Sequence, residues 1–97
     1  MSLLIYTKDG CKYCDKAKEL CDKYDIQYTT IHLDPNNDEY SKQRQKLVDS
    51  TKQTTFPWIY TSKENILEFL GGYTELERAY DTGRLYKLGI VKEEIDF

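Results

Sequence analysis

The sequence predicts an α/β fold: a four-stranded mixed sheet with helices on both faces, in the order β-α-β-α-β-β-α. Three observations predict it. Short runs of β-forming residues alternate with stretches of helical period through the first half of the chain. Two further runs, at 58–61 and 66–70, lie only a turn apart and read as an antiparallel hairpin. A close cysteine pair, Cys11-Lys12-Tyr13-Cys14, stands where the first run meets the first helical stretch.

Leu3-Leu4-Ile5-Tyr6-Thr7 is nearly continuous and apolar, which predicts a strand buried on both faces. Lys8-Asp9-Gly10 is a turn, with Gly10 free to bend the backbone before the first cysteine. From Lys12 to Tyr24 the residues Ala17, Leu20, Cys21 and Tyr24 recur at i, i+3, i+4 and i+7, the stripe of an amphipathic helix. Cys21 falls on that stripe and reads as a small core residue. Gln27 to Leu33 carries a β-forming set and predicts a second strand, parallel to the first across a helical crossover. His32 lies near its end and is given no catalytic role. The cluster Asp34-Pro35-Asn36-Asn37-Asp38 is a turn. It leads to a helix over Glu39 to Thr51, in which Tyr40, Arg44, Leu47, Val48 and Thr51 share a face. Trp58 to Thr61 and Ile66 to Leu70 form the hairpin, joined by Ser62 to Asn65. Gly71-Gly72 ends the second strand. Thr74-Glu75-Leu76-Glu77 reads as a capping box opening a third helix, which Thr82-Gly83 closes. Leu85, Leu88 and Ile90 predict a short helical turn packed back on the sheet. The tail, Lys92 to Phe97, is expected to fray.

Ninety-seven residues make one domain, 1–97, with a single modest core. The net charge of −3 offers no basic stripe for nucleic acid, and the nine tyrosines are scattered rather than interleaved with arginines. The apolar run after Ser2 is too short for a signal-peptide core or a membrane span, so the chain is expected in the cytoplasm. In a reducing compartment a C-x-x-C pair is more often catalytic than a structural staple.

A cysteine in the first turn of a helix meets unpaired backbone N–H groups and the positive end of the helix dipole. Both favour the thiolate, the nucleophile of disulfide exchange, so Cys11 should ionise more readily than a free cysteine. Cys14, one turn further in, can attack a mixed disulfide formed at Cys11. Lys8 and Lys12 add positive charge nearby. The other reading of the pair is half of a zinc site. Structural zinc takes four ligands, and the chain has three cysteines, one histidine and no second closely spaced ligand pair. No metal ligands are therefore assigned.

The element order with the cysteine pair between the first strand and first helix is that of the thioredoxin fold. Three separated motifs extend this to a resemblance with the small dithiol glutaredoxins, over nearly the whole chain to about Leu88. Cys11-Lys12-Tyr13-Cys14 is similar to that family's C-P-Y-C centre. Thr55-Phe56-Pro57 is similar to its T-V-P loop. Gly71-Gly72-Tyr73-Thr74-Glu75 is similar to its G-G-Y-T-D segment.

The resemblance implies a glutathione-dependent thiol–disulfide oxidoreductase, with Cys11 and Cys14 catalytic and glutathione as co-substrate rather than a tightly bound cofactor. It implies a cis Pro57, with the Phe56 backbone pairing with the tripeptide like a fragment of added strand. Thr55 belongs to the same loop. Gly72 would admit close backbone approach. Thr74 and Glu75 would meet the γ-glutamyl end, the Thr74 backbone taking its carboxylate and Glu75 its ammonium group, with Tyr73 in the same binding segment. Lys8 and Arg44 match basic positions for the glycine carboxylate, and Tyr13 the tyrosine flanking the tripeptide. Expected partners are glutathione and disulfide-containing or glutathionylated proteins, ribonucleotide reductase among them, with no nucleic acid and no membrane. The chain is expected to be a monomer.

Three residues depart from the family pattern: Lys12 for proline, Phe56 for valine and Glu75 for aspartate. A cation at Lys12 should favour the Cys11 thiolate and so the reduced form, and Phe56 adds bulk at the groove. Two other readings stay open on the sequence: a thioredoxin-like hydrogen donor recycled by thioredoxin reductase, and a carrier of a glutathione-ligated iron–sulfur cluster.

Overall fold

The computed structural model describes residues 2–91. Its elements are β1 (Ser2–Thr7), α1 (Lys12–Lys23), β2 (Tyr28–His32), α2 (Tyr40–Thr51), β3 (Trp58–Lys63), β4 (Ile66–Gly71), α3 (Tyr73–Asp81) and α4 (Arg84–Lys87). The sheet order is β2-β1-β3-β4. β1 and β2 pair in parallel, with Ile5 opposite Thr30, whereas β1–β3 and β3–β4 are antiparallel. This is the predicted thioredoxin fold, with α4 as the expected extra turn. The tail expected to fray lies outside the described residues.

The strand pleat sends alternate side chains to opposite faces, and this divides the core. Leu3, Ile5 and Ile59 meet Ala17, Leu20 and Cys21 of α1, Leu76 and Ala79 of α3, and Leu85 of α4. On the other face, Tyr6, Trp58, Tyr60 and Phe69 meet Leu47 and Val48 of α2, with Leu33 between them. Only Leu33, Leu47 and Trp58 are buried in that second cluster. The strand predicted to be buried on both faces is therefore unequal. Leu3, Ile5 and Thr7 of β1 are buried, while Leu4 and Tyr6 are half-buried beneath the thinner layer. β2 is an edge strand whose side chains are mostly exposed.

Helix ends follow local rules. α1 stops in a Schellman turn: Asp25 adopts left-handed backbone (φ 55°) and the Ile26 N–H donates to the Cys21 carbonyl at 2.8 Å. Ile26 is thereby buried in the core. The predicted capping box does not form. Gly72 is the N-cap of α3 without a side-chain bond, so Thr74 lies in the first turn. Glu77 accepts instead from the Tyr73 hydroxyl at 2.9 Å. The hairpin turn is also tighter than the predicted 62–65. β3 runs to Lys63, paired with Ile66, and both Glu64 (φ 52°) and Asn65 (φ 67°) are left-handed. Two such residues make a turn whose twist matches that of the strands, and Glu64 is a poor sequence signal for it.

Candidate active site

The first wall of the site is built at the end of β1. Gly10 takes φ 69°, a left-handed conformation, and delivers Cys11 in extended backbone as the N-cap of α1. The Cys11 sulfur accepts a hydrogen bond from the Cys14 backbone N–H at 3.2 Å. The sulfur therefore does the work that serine or aspartate does at most helix starts. The same donor and the helix dipole stabilise negative charge on Cys11 once the pair is reduced. Cys11 and Cys14 form a disulfide with Cα atoms 5.2 Å apart. Cys11 retains 8% exposure and Cys14 has none, so Cys11 is the sulfur that an incoming thiol or disulfide can reach. Cys21, two turns on, is wholly buried, and desolvation first, then the Asp22 charge, push its thiol up to about 12. It packs in the core with Ala17 and Leu20, as its place on the apolar stripe predicts.

The second wall is the segment between α2 and β3. The Phe56–Pro57 bond is cis. Phe56 stands edge-on to the buried Trp58, ring centroids 4.8 Å apart, and the Lys8 ammonium lies 5.2 Å from the Phe56 ring centre. Arg44 donates from Nη2 to the Thr54 carbonyl at 2.7 Å. The third wall is the start of α3. The Tyr73 and Tyr13 ring centres are 6.1 Å apart, and the Lys16 ammonium lies over both rings. Hydrogen bonding to the Glu77 carboxylate is the first reason that the Tyr73 hydroxyl is held above the usual tyrosine range.

These walls enclose a groove of about 340 Å³. Thr55, Phe56 and Pro57 line it from one segment, Gly72, Tyr73, Thr74 and Glu75 from another, with Tyr13 alongside. The structure thus brings together all the residues predicted for the tripeptide except Lys8 and Arg44, which do not line the groove. Lys8 lies on the Phe56 ring and Arg44 on the loop backbone. His32 is apart, its Nε2 3.5 Å from an Asp9 carboxylate oxygen.

Two residues that matter to the site are not assigned to it by the sequence. Gly71 is the glycine that the backbone demands. Its φ is 135°, and a Cβ there would lie 2.6 Å from the Glu75 side chain. A Cβ at Gly72 would meet nothing closer than 3.6 Å, so the chain itself does not require that glycine. The other is Gln53, whose side-chain amide donates to the carbonyls of Thr55 at 2.8 Å and Pro57 at 2.7 Å. No periodicity marks it, because its role depends on the path of a loop without regular structure.

The family model described as Glutaredoxin matches residues 3–66. The chain belongs to the glutaredoxin family. It is 34% identical over 87 residues to glutaredoxin 1 of Rickettsia bellii, a match covering 90% of this chain and 85% of that protein. It is 32% identical to the mitochondrial glutaredoxin-2 of Homo sapiens, covering 89% of this chain but only 49% of that protein. The chain spans about half the length of the human relative. A crystal structure of a buckwheat glutaredoxin–glutathione complex superposes with a TM-score of 0.77 at 24% identity, covering 92% of this chain and 80% of that one. That likeness is one of fold. In this glutaredoxin-family chain, Cys11 and Cys14 stand at disulfide distance.

Proposed function

We propose that the chain is a glutathione-dependent thiol–disulfide oxidoreductase that reduces protein disulfides and glutathione mixed disulfides through Cys11 and Cys14. The observation that carries this reading is the groove whose lining runs from Tyr13, between the two cysteines, to the first turn of α3. Its lining suits a short peptide with a carboxylate. The α3 N-terminus offers N–H groups without intrahelical acceptors, since the first intrahelical bond of the cap runs from the Leu76 N–H to the Gly72 carbonyl. Glu75 adds a carboxylate for an ammonium group. The bound glutathione of the buckwheat complex supports the same choice of ligand.

The reduced Cys11 thiolate attacks the glutathione sulfur of a mixed disulfide. A Cys11–glutathione disulfide forms, and the substrate leaves as a thiolate that takes a proton from solvent. A second glutathione thiolate then attacks the bound glutathione sulfur, which releases glutathione disulfide and restores the Cys11 thiolate. With a protein disulfide, Cys11 forms a mixed disulfide with the protein. Cys14 loses its proton and attacks the Cys11 sulfur, expelling the second substrate thiolate and leaving the internal disulfide. Two glutathiones return the two electrons.

Only the second route needs Cys14. Cys14→Ser is therefore expected to keep turnover of a small glutathione mixed disulfide, coupled to glutathione and glutathione reductase, and to lose reduction of an intramolecular protein disulfide. Ribonucleotide reductase is the protein disulfide to test first, on the family resemblance. Equal loss of both activities contradicts the assignment. Turnover with thioredoxin reductase alone, and none with glutathione, replaces it with a thioredoxin-like donor.

A further inference from the structure

The loop that carries Phe56 has no ladder of its own, yet its carbonyls are held. Lys52 ends α2 in left-handed backbone (φ 67°) and turns the chain, and the Gln53 N–H donates to the Thr51 hydroxyl at 3.2 Å. The Gln53 side-chain amide nitrogen then reaches forward to two carbonyls, Thr55 at 2.8 Å and Pro57 at 2.7 Å. An amide nitrogen carries two hydrogens, so both are used. Arg44 holds the neighbouring Thr54 carbonyl at 2.7 Å. Among the described residues no hydrogen bond engages the N–H or C=O of Phe56. The Gln53 amide also abuts the opposite wall: a Cβ built at Gly72 would lie 3.6 Å from its Oε1 and 3.8 Å from its Nε2.

We propose that Gln53 is a positioning residue for the reaction at Cys11. By bonding the carbonyls on either side of Phe56, its side chain fixes the loop so that the Phe56 peptide is the one backbone edge left for the main chain of the tripeptide. It acts through the loop. A binding edge is useful only when its own support is immobile, and here that support is a single side chain with two donors. The inference rests on the glutathione reading above.

Gln53→Met keeps length and removes the donors, while Gln53→Glu sets a carboxylate against two carbonyls. Two readouts are needed. The first is the backbone 15N order parameter in the ligand-free protein at Thr55, Phe56 and Trp58, with Leu76 as the core reference. The second is steady-state turnover of a small glutathione mixed disulfide. The expected result for Gln53→Met is a loop order parameter that falls from about 0.85 to below about 0.6 and is unchanged at Leu76, with KM raised about tenfold and kcat retained, the scale of the lost hydrogen bonding. Gln53→Glu should exceed it. A raised KM with unchanged loop order overturns the proposal, because Gln53 then acts by touching the ligand. Unchanged kinetics, or order that falls equally at Leu76, overturns it too. If the wild type turns over a protein disulfide but no glutathione mixed disulfide, the glutathione reading falls by itself. The positioning role is then upheld if Gln53→Met loosens the loop and raises KM for the protein disulfide, and overturned if it does not.

Discussion

The two faces of the sheet are built differently, and each supports a different part of the site. Under α1, α3 and α4 the core is dry and mainly aliphatic: Leu3, Ile5, Ala17, Ile59, Leu76 and Leu85 have no exposed surface. Under α2 it is thin and aromatic, with Tyr6, Phe56, Tyr60 and Phe69 only partly covered. The cysteine pair rides on α1, and so on the dry face. The Thr54–Pro57 segment leaves α2 and enters β3, and so hangs from the thin one. A sulfur that must hold one position against a helix terminus rests on close-packed side chains. A loop that must admit a ligand is held by separate polar ties, from Arg44, Gln53 and Thr51. Rigidity here comes from packing on one side and from directed hydrogen bonds on the other.

The largest effect comes from truncating one leucine on each face. Leu76→Ala should lower the unfolding free energy by about 3 kcal/mol and Leu47→Ala by about 2 kcal/mol, because the thin layer can relax into the space. Denaturant midpoints at constant m-value measure both, and equal losses would erase the distinction. A smaller effect isolates the polar ties. The Thr51 hydroxyl accepts from the buried Trp58 indole at 3.0 Å and donates to the Leu47 carbonyl at 2.6 Å. Thr51→Val keeps the shape and orphans the indole N–H, which should cost about 1.5 kcal/mol and change Trp58 fluorescence. An unaltered spectrum would mean that the thin face is held by its rings alone.

The smallest effect is a pH slope that reports on the dry face. Burial holds the Cys21 thiol protonated to about pH 12, whereas the unfolded chain ionises it from about pH 9.0. Its stabilising contribution is therefore complete below pH 9.0 and is lost as pH rises towards 12. Wild-type stability should fall more steeply above pH 9.0 than that of Cys21→Ala, followed by denaturation between pH 8 and roughly 9.5. Parallel slopes would show that water reaches Cys21 and that the face is not dry.

Much of this was legible in the chain. The stripe Ala17, Leu20, Cys21 named the buried side of α1, because an amphipathic helix writes its environment into a local period. The cysteine pair announced the helix start, and the groove gathered Tyr13, Thr55 to Pro57 and Gly72 to Glu75 from motifs far apart in sequence. The misses have a common cause. An apolar run cannot report how thickly each of its faces will be covered, so it predicts burial on both faces of β1. The spacing of Thr74 and Glu77 matches a capping box, but the strand end at Gly71 places the N-cap at Gly72, two residues before Thr74. The pair Gly71-Gly72 does not show which glycine the backbone requires, because only the finished turn folds the Glu75 side chain over Gly71.

The order of elements, the cysteine pair at a helix N-terminus and the apolar stripe that buries α1 are written in the chain, since each rests on residues within a turn or two of one another. How the two faces share the core, where the Lys8 and Arg44 cations lie, and that Gln53 bonds the carbonyls flanking Phe56 emerge once the chain is folded. Those depend on the path of the backbone through space, and a directed hydrogen bond leaves no period in a sequence.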